Sequence, residues 1–521
     1  MLALGLQPLK SGGDCFDDVI VSFDGWYQHG YELMYMEALK VNFNSHAAES
    51  TSIGDRLTTY LDSSLHYLQR YHGYRIEVFR NTSIQEAWRI LLDQLNRGFP
   101  VGLNLDTYYS PWDVKYQISH YYSHVMIVVG FDAHARELII VDPFFEKKDL
   151  RLSYSLFEQG YIGFMTLEPC ETICQNQEIL LEELLLKVQE QLETAPPAMR
   201  ALAAQLPDIQ HEAEFKNYEV FGECPLYHKL VLLMNGRSNF AKLLNHLDSR
   251  FHLPYYREIA DEFLLLANKW NAVRGIVAKM FFSPQITKDP RVIDNLMNRI
   301  LANADMEELL LQKLVDSRNN DIASTALPEI PLNNPSPEEL DVHEIIPVEL
   351  HSFFDNRGIE NSSGTADFDS DGNYLLKQGA PIQDVFQVED MSFSVSFLHD
   401  DRDDNLSCNN QSIPLQEDRY RGIMVLGCSQ YCDNMDNFIV EYTDGTSESF
   451  ALGFSDWWNA SPSFGEIIAW KAQFAHNEHG MGTNSVFLFA NKKVLRSHKP
   501  ACRLILPIMP NIHVFAVSMW K

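Results

Sequence analysis

The sequence lacks the long apolar segment that would cross a membrane. No stretch of its 521 residues approaches the ~20 consecutive apolar residues that a bilayer crossing needs. Near the start of the chain the first positive charge follows the apolar residues, whereas a secretory signal places it before them. We therefore expect a soluble, cytoplasmic protein.

Cysteine and basic residues are also scarce. Eight cysteines in a chain of this length do not make a disulfide framework. The pairs Cys170/Cys174 and Cys428/Cys432 each lack the second Cys or His pair of a structural zinc site. Lys and Arg total 41 against 71 Asp and Glu, which gives a formal net charge of −30. Such a surface repels phosphate, and this argues against nucleic acid or an anionic membrane as the main partner.

What the sequence contains is typical of a large globular protein, with 45% hydrophobic and 21% charged residues. Because one core rarely grows beyond about 250–300 residues, two or three domains are expected. Residues 1–172 mix short helices with strand-like apolar runs and form an expected α+β domain. Within this domain, residues 83–95 have a helical pattern that Arg97-Gly98 would close.

Residues 173–327 change to helical periodicity, and we expect a helical domain. Its apolar positions are Leu180, Leu184, Val188 and Leu192, followed by one long stripe of Ile259, Phe263, Leu266, Trp270, Val273, Val277 and Met280. This stripe is interpreted as core. Residues 328–342 form a Pro-rich linker.

Residues 343–521 alternate apolar and polar positions with a period of two. Phe438, Val440 and Tyr442 lead into a turn at Asp444-Gly445, which is the pattern of a β-hairpin. Further strands are expected at 486–489, 504–506 and 514–517. The predicted fold class is therefore multidomain α+β, with a C-terminal all-β sandwich of jelly-roll type.

The strongest candidate for a catalytic side chain is Cys15, which follows Gly12-Gly13-Asp14 at the start of an expected helix. Aligned peptide dipoles at a helix N-terminus favour a thiolate over a thiol. A nucleophilic Cys also needs a base, and the base needs a group that orients it.

His124 and Asp142 are the candidates for these two roles. His124 opens one expected strand and Asp142 ends the next, so a hairpin would bring both to the same sheet edge. His120 is the competing base, four residues before His124. An early Cys, a later His and a carboxylate on the next strand follow the papain-like order.

Several further motifs surround these residues. They are Asp14-Cys15-Phe16, Tyr31-Glu32-Leu33-Met34, Thr82-Ser83, Glu86-Ala87-Trp88, Gly98-Phe99-Pro100-Val101, Asp106-Thr107-Tyr108-Tyr109-Ser110-Pro111-Trp112, Tyr116, His120, His124, Gly130-Phe131-Asp132 and Val141-Asp142-Pro143. Through this set the first two domains resemble the butirosin-biosynthesis acyltransferase family, in which a papain-like domain, similar to C39 peptidases, precedes a helical domain.

The resemblance implies acyl transfer from a carrier-protein thioester to an amine, in nonribosomal peptide or polyketide biosynthesis. Cys15 would carry the acyl group, His124 would move the protons, and Asp142 would hold the imidazole. The implied partners are an acyl or peptidyl carrier protein, whose phosphopantetheine bears the donor, and a small-molecule amine. No resident cofactor is expected.

Two sets of residues complete the predicted site. C39-like peptidases place a Gln ahead of the Cys as an oxyanion donor, and Gln7 is the candidate here; backbone N–H groups are the alternative. The candidates for substrate binding are Asp106, Tyr108, Tyr109, Trp112, Tyr116 and His120. An aromatic wall would keep water from an acyl-enzyme, with packing of the loop and the core as the alternative; its members are Tyr108, Tyr109, Trp112, Tyr116, Tyr121 and Tyr122.

The last domain resembles galactose-binding-like β-sandwiches. The motifs are Phe353-Phe354-Asp355-Asn356-Arg357-Gly358, Asp367-Phe368-Asp369, Asn409-Asn410-Gln411, Tyr442-Thr443-Asp444-Gly445 and Ser455-Asp456-Trp457. Asp367, Asp369 and Asp371 imitate the start of a calcium loop, but Gln378 stands where such a loop ends in Glu. A solvated acidic turn is the alternative. Sugar binding, protein docking and a structural role all remain open for this domain.

A basic cluster in the helical domain would suit an acidic carrier protein, with a solvated helix face as the alternative. Its members are Lys269, Arg274, Lys279, Lys288, Arg291 and Arg299. Two other functions remain open for the chain. One is a cysteine hydrolase, a thioesterase or peptidase, with the same triad. The other is a non-catalytic binding or scaffold protein that acts through the β-sandwich.

Overall fold

The computed structural model describes residues 2–46, 52–59, 64–113, 115–122, 124–170, 176–320, 344–361, 364–378, 385–395 and 402–521. The predicted linker, residues 328–342, lies outside these ranges, as does the predicted boundary between residues 172 and 173. The structure shows a mixed first part, a helical middle and an all-β last part, so the predicted multidomain α+β class is confirmed.

The first part is built on one antiparallel sheet. Its helices are α1 (Cys15–Tyr27), α2 (Ile53–Arg56), α3 (Ser64–His72), α4 (Ile84–Asn96) and α5 (Tyr154–Gly160); its strands are β1 (Leu2–Ala3), β2 (Val41–Phe43), β3 (Leu57–Thr59), β4 (Tyr74–Arg80), β5 (Val101–Leu105), β6 (His124–Asp132), β7 (Glu137–Asp142), β8 (Lys147–Ser153) and β9 (Tyr161–Pro169). The sheet order is β4-β9-β5-β6-β7-β8, with β1 added beside β6.

Helices cover both faces of this sheet. On one face lies α4, which begins where Ser83 accepts a hydrogen bond from Glu86 N–H and ends at Gly98, whose φ is +88°. Its buried Leu91 and Leu95 pack against β5, β6 and β7. On the other face, Phe23 of α1 packs against the alternate residues of β6 and β7. Burial on both faces accounts for the nearly continuous apolar sequence of β6 and β7.

The middle part is helical. Its helices are α6 (Gln177–Gln205), α7 (His211–Glu214), α8 (Pro225–Phe251), α9 (Pro254–Phe282), α10 (Pro284–Thr287) and α11 (Pro290–Asn320). The predicted stripe from Ile259 to Met280 lies on α9 and is buried along its whole length. In the described part of the chain, no helix combines the length and apolar character that crossing a membrane requires.

The last part contains two packed sheets. Its strands are β10 (Ile345–Val348), β11 (Ile359–Glu360), β12 (Asn373–Leu376), β13 (Val385–Val388), β14 (Met391–Ser394), β15 (Leu406–Asn409), β16 (Ser412–Arg419), β17 (Gly422–Ser429), β18 (Asn434–Tyr442), β19 (Ser447–Phe454), β20 (Ile467–His476), β21 (Gly480–Val494), β22 (Pro500–Ile505) and β23 (Ile508–Trp520). These two sheets run β10-β23-β17-β21-β20-β12-β11, with β15 added beside β23, and β16-β22-β18-β19; β13 and β14 form a separate pair. The predicted hairpin is β18–β19, where Phe438 pairs with Phe450.

The three parts share one continuous hydrophobic core. Close backbone approaches join them. A Cβ at Gly54 of α2 would lie 2.1 Å from the backbone nitrogen of Leu226 in α8, so only glycine fits there. On the other side, a Cβ at Gly275 of α9 would lie 2.5 Å from the Cys432 sulfur in the sandwich. The helical part is therefore packed tightly against both of its neighbours.

The predicted basic cluster does not form a free docking face, because three of its members bind the sandwich. Lys279 is buried and donates to Ser407 Oγ at 3.0 Å, to His513 Nε2 at 2.9 Å and to a backbone carbonyl of β23. Burial lowers the pKa of Lys279 to about 8. Arg274 donates to the carbonyl of Tyr431, and Arg299 is paired with Asp436. Helical spacing on α9 and α11 did not reveal that the sandwich covers these side chains.

One buried ion pair joins α8 to α11. Arg237 donates two hydrogen bonds to Glu307, at 2.6 and 2.7 Å, and both side chains are fully buried. The Glu307→Gln variant would leave the guanidinium without a charged partner. We expect the free energy of unfolding to fall by about 3–5 kcal/mol, measured by denaturant titration. The Glu212→Gln variant is the control, since its partner Lys216 is solvent-exposed, and it should be unchanged. Equal losses in both variants would contradict this prediction.

Candidate active site

Cys15 is the first residue of α1. Asp14 caps this helix, because its carboxylate accepts a hydrogen bond of 2.9 Å from Asp17 N–H. The Cys15 side chain therefore stands at the positive end of a helix of 13 residues, where the dipole stabilises negative charge. The cap is local in sequence, because Asp14 and Asp17 are the first and last residues of Asp14-Cys15-Phe16-Asp17.

Two buried carboxylates brace the first turn of α1. Asp18 accepts from Lys10 Nζ at 2.6 Å and from Ser11 N–H at 2.7 Å, which fixes the loop that leads to Cys15. Asp17 accepts from Tyr35 Oη at 3.0 Å and from Asn239 Nδ2 of α8 at 2.9 Å. Burial raises the pKa of Asp17 to about 6. These braces were missed in the sequence, since the partners of Asp17 are distant along the chain.

His124 and Asp142 lie at the same edge of the sheet, as the hairpin predicts. Strands β6 and β7 are antiparallel, with Ile127 opposite Val141. The Nε2 atom of His124 lies 2.8 Å from Oδ2 of Asp142, and both side chains are buried. This hydrogen bond fixes the ring and leaves Nδ1 as the nitrogen available to another partner.

Cys15 lies next to this ring, and the two side chains interact. Burial disfavours the charged imidazole, but the hydrogen bonds to Asp142 and Cys15 outweigh it and raise the pKa of His124 to about 10. An imidazolium beside a thiol stabilises the thiolate. The structure thus brings Cys15, His124 and Asp142 together in the order of a nucleophile, a base and an orienting group.

Aromatic side chains enclose this arrangement. Trp112 donates its indole N–H to Oδ2 of Asp142 at 2.8 Å, so Asp142 is held from two sides. Phe144 and Phe145 meet the His124 ring edge-on, with centroids 5.8 Å away in both cases. Trp112 is one of the predicted substrate-binding residues, and that role stays a prediction; the structure places its polar end on Asp142. Phe144 and Phe145 directly follow Asp142-Pro143. Apart from this position, nothing in the sequence indicated that they lie beside His124.

His120, the competing base, forms a separate pair with Asp106. Its Nδ1 lies 2.6 Å from Asp106 Oδ2, while Asp106 Oδ1 accepts from the backbone N–H groups of Tyr108 and Tyr121. The His120 ring stacks on Tyr108 at 4.4 Å. Asp106 therefore organises the loop over residues 106–122, and the imidazole paired with Asp142 belongs to His124. The predicted substrate-binding residues Tyr109 and Tyr116 lie on the same loop.

Gln7 is exposed at the surface. Its Oε1 accepts from Lys148 Nζ at 2.9 Å, and its Nε2 donates to the carbonyl of Gly5. Its role as an oxyanion donor stays a prediction, as does the alternative of backbone N–H groups at the start of α1.

The weak calcium candidates use their oxygens within their own loop. Asp369 accepts from the N–H groups of Asp371 and Asn373, and Asp367 accepts from Gly372 N–H. Among the described residues, the structure contains no group of three His, Cys, Asp or Glu side chains placed to hold a metal ion.

A Cys at a helix N-terminus that faces a buried His–Asp pair on an antiparallel sheet is the arrangement of papain-like cysteine enzymes. Residues 29–143 match the family described as butirosin biosynthesis protein H, N-terminal, and residues 344–521 match the AziU2-like beta-sandwich domain. The first match agrees with the resemblance to the butirosin family drawn from the sequence, and the second agrees with the predicted C-terminal β-sandwich. The first match includes His124 and Asp142, begins after Cys15, and indicates a biosynthetic, acyltransferase-like protein. A comparison with curated proteins gave no match.

The raised pKa of His124 predicts an unusual pH profile for the alkylation of Cys15. Because the imidazolium beside Cys15 is lost only as the pH approaches about 10, the rate with iodoacetamide near pH 6.5 should exceed that of an ordinary thiol. The His124→Ala variant should react as an ordinary thiol, with a rate that rises through pH ~8.5 and is at least about tenfold slower near pH 6.5. Peptide mass spectrometry would resolve Cys15 from Cys170. Superimposable profiles would contradict the ion pair.

The indole N–H of Trp112 is expected to position Asp142 and, through it, His124. A hydrogen bond to a charged group contributes about 1.5–3 kcal/mol, so Trp112→Phe should slow alkylation of Cys15 by at least about tenfold. Trp88→Phe is the control, since Trp88 packs edge-on against Tyr154 on α5. Equal effects in both variants would mean a general packing defect.

Proposed function

We propose that this chain is a cysteine-dependent acyltransferase, which moves an acyl group from a carrier-protein thioester to an amine through an acyl-enzyme on Cys15. The observation that carries the proposal is the contact of Cys15, at a helix N-terminus, with an imidazole held by a buried carboxylate. The match to the butirosin biosynthesis family supports a place in natural-product biosynthesis.

The first half of the reaction forms the acyl-enzyme. The Cys15 thiolate attacks the thioester carbonyl and forms a C–S bond, and the tetrahedral intermediate collapses with cleavage of the bond to the pantetheine sulfur. His124, as imidazolium, gives its proton to the departing pantetheine thiolate. Backbone N–H groups at the start of α1 would receive the oxyanion that forms beside Cys15.

In the second half, the amine attacks the acyl carbon and the C–S bond to Cys15 breaks. Neutral His124 accepts the proton that the amine loses, which restores the thiolate–imidazolium pair. Asp142 keeps Nε2–H engaged throughout, so the ring presents Nδ1 in both halves. The aromatic side chains around His124 limit the approach of water, which favours transfer over hydrolysis.

The proposal is tested by intact-protein mass spectrometry after mixing the enzyme with a panel of acyl-pantetheine thioesters. We expect an acyl adduct that is absent in Cys15→Ala and present in Cys170→Ala, a matched control because both cysteines are half-buried and unoxidised. Acylation of His124→Ala should be slower by about 10²–10⁴-fold. Addition of an amine should discharge the adduct into an amide.

Other outcomes point elsewhere. Discharge by water at the same rate with and without amines would indicate the hydrolase, a thioesterase or peptidase. An adduct that persists in Cys15→Ala would overturn the assigned nucleophile. No adduct with any donor, together with ordinary alkylation of Cys15, would leave the β-sandwich as the functional part.

A further inference from the structure

An apolar cavity of about 360 Å³ opens beside the candidate active site. Phe16, which follows Cys15, and Val125, which follows His124, form its near wall. Leu65 of α3 closes one side, and the sheet forms the floor. The volume lies at the lower end of the range for small-ligand sites. The cavity therefore begins at the residues that directly follow Cys15 and His124 in the chain.

The floor consists of two rows of paired residues that cross the sheet. The first row is Val125, Asn104, Gly163 and Arg80, on β6, β5, β9 and β4 in turn, and the second is Gly102, Met165 and Val78, on β5, β9 and β4. The first row begins next to His124. Three steps between neighbouring strands, at ~4.8 Å each, give a length of about 14 Å from β6 to β4. A chain that extends from Cys15 along this floor would end at Val78 and Arg80.

Gly102 on β5 and Gly163 on β9 have no side chains, and this leaves space for the cavity above the sheet. A Cβ at Gly102 would lie 3.2 Å from Met165 Cε, the flexible end of a side chain, so a larger residue there would project into the cavity. Gly102 has no positive φ, and its backbone accepts any L-residue. The position is thus suited to a test that narrows the cavity without straining the strand.

The chemistry of the lining defines what it can hold. Apart from Asn104 and the exposed Arg80 at the far end, the lining is apolar side chains and glycine. An apolar chain gains free energy here by leaving water, whereas a charged group midway along the floor would lose its hydration without compensation.

Resting on the proposed function, we propose that this cavity holds the acyl chain of the donor, and that the donor class is an apolar, unbranched acyl thioester. The acyl chain would lie across β5 and β9 toward β4. The distance from Cys15 to Val78 would limit the length of acyl chain that fits. The bond-forming steps are those of the proposed acyl transfer, and the cavity adds no reactant.

Binding is measured first without chemistry, by calorimetry with acyl-pantetheine amides, which carry no thioester. For the wild type we expect the dissociation constant to fall from acetyl to hexanoyl to decanoyl, since each buried methylene can tighten binding by up to about fourfold. Glutaryl, which ends in a carboxylate, should bind at least about tenfold more weakly than hexanoyl. The same order should appear in the acylation rates of Cys15 with the matching thioesters.

Two variants locate the chain. Gly102→Val should weaken hexanoyl and decanoyl binding by at least about tenfold and leave acetyl unchanged. Val78→Trp, at a half-exposed position at the far end, should weaken decanoyl alone. The control is Gly222→Val, because a side chain there would enter open space outside the cavity. A circular dichroism spectrum and a melting temperature equal to those of the wild type would show that the fold of each variant is intact.

The results separate the two proposals. If acyl adducts form but both variants keep the wild-type dependence on chain length, the acyl transfer stands and the cavity assignment is wrong. If glutaryl binds as tightly as hexanoyl, the donor class is wrong. If the amides bind with the predicted chain-length pattern and no thioester acylates Cys15, the cavity stands and the catalytic proposal falls.

Discussion

The hydrogen bond between His124 and Asp142, formed away from water, is the constraint around which the first part of the chain is arranged. A buried imidazole with one nitrogen committed to a carboxylate can present only the other nitrogen. The Cys15 side chain must then approach the ring from the side opposite Asp142. Antiparallel pairing of β6 with β7 fixes the base, and the placement of α1 on the same sheet fixes the sulfur.

Holding α1 in place involves more than the first part of the chain. Asp17 lies two residues after Cys15 and is bound by Asn239 of α8, while Glu214 accepts the N–H groups of Ile53 and Gly54 in α2. The helical part therefore supports the turn that carries Cys15. In the same way Lys279 and Asn511 connect α9 to the sandwich, with Asn511 donating to the carbonyl of Gly275 at 2.8 Å. The sandwich is thus bonded to the helical part, and the helical part is bonded to the turn that carries Cys15.

Local signals predicted much of this structure from the sequence. Ser83 and Gly98 bound α4 because capping depends on neighbouring residues, and the alternation before Asp444-Gly445 gave the β18–β19 hairpin. The choice of His124 over His120 needed the strand register, because spacing alone allowed both. Contacts between distant segments, such as Asp17 with Asn239, leave no local pattern. The burial of Lys279 could not be predicted for the same reason, and because charged residues are usually exposed to solvent.

The close approaches at Gly54 and Gly275 bear on how such a chain can be recombined. Modular enzymes are often rearranged by cutting between domains and joining each piece to a new partner. Here a foreign helical segment would have to fit closely against Gly54 on one side. On the other side it would have to supply a lysine that is buried in the sandwich, as Lys279 is. The catalytic part, the helices and the sandwich should therefore be inherited and exchanged as a single block, with new specificity arising from substitutions inside it.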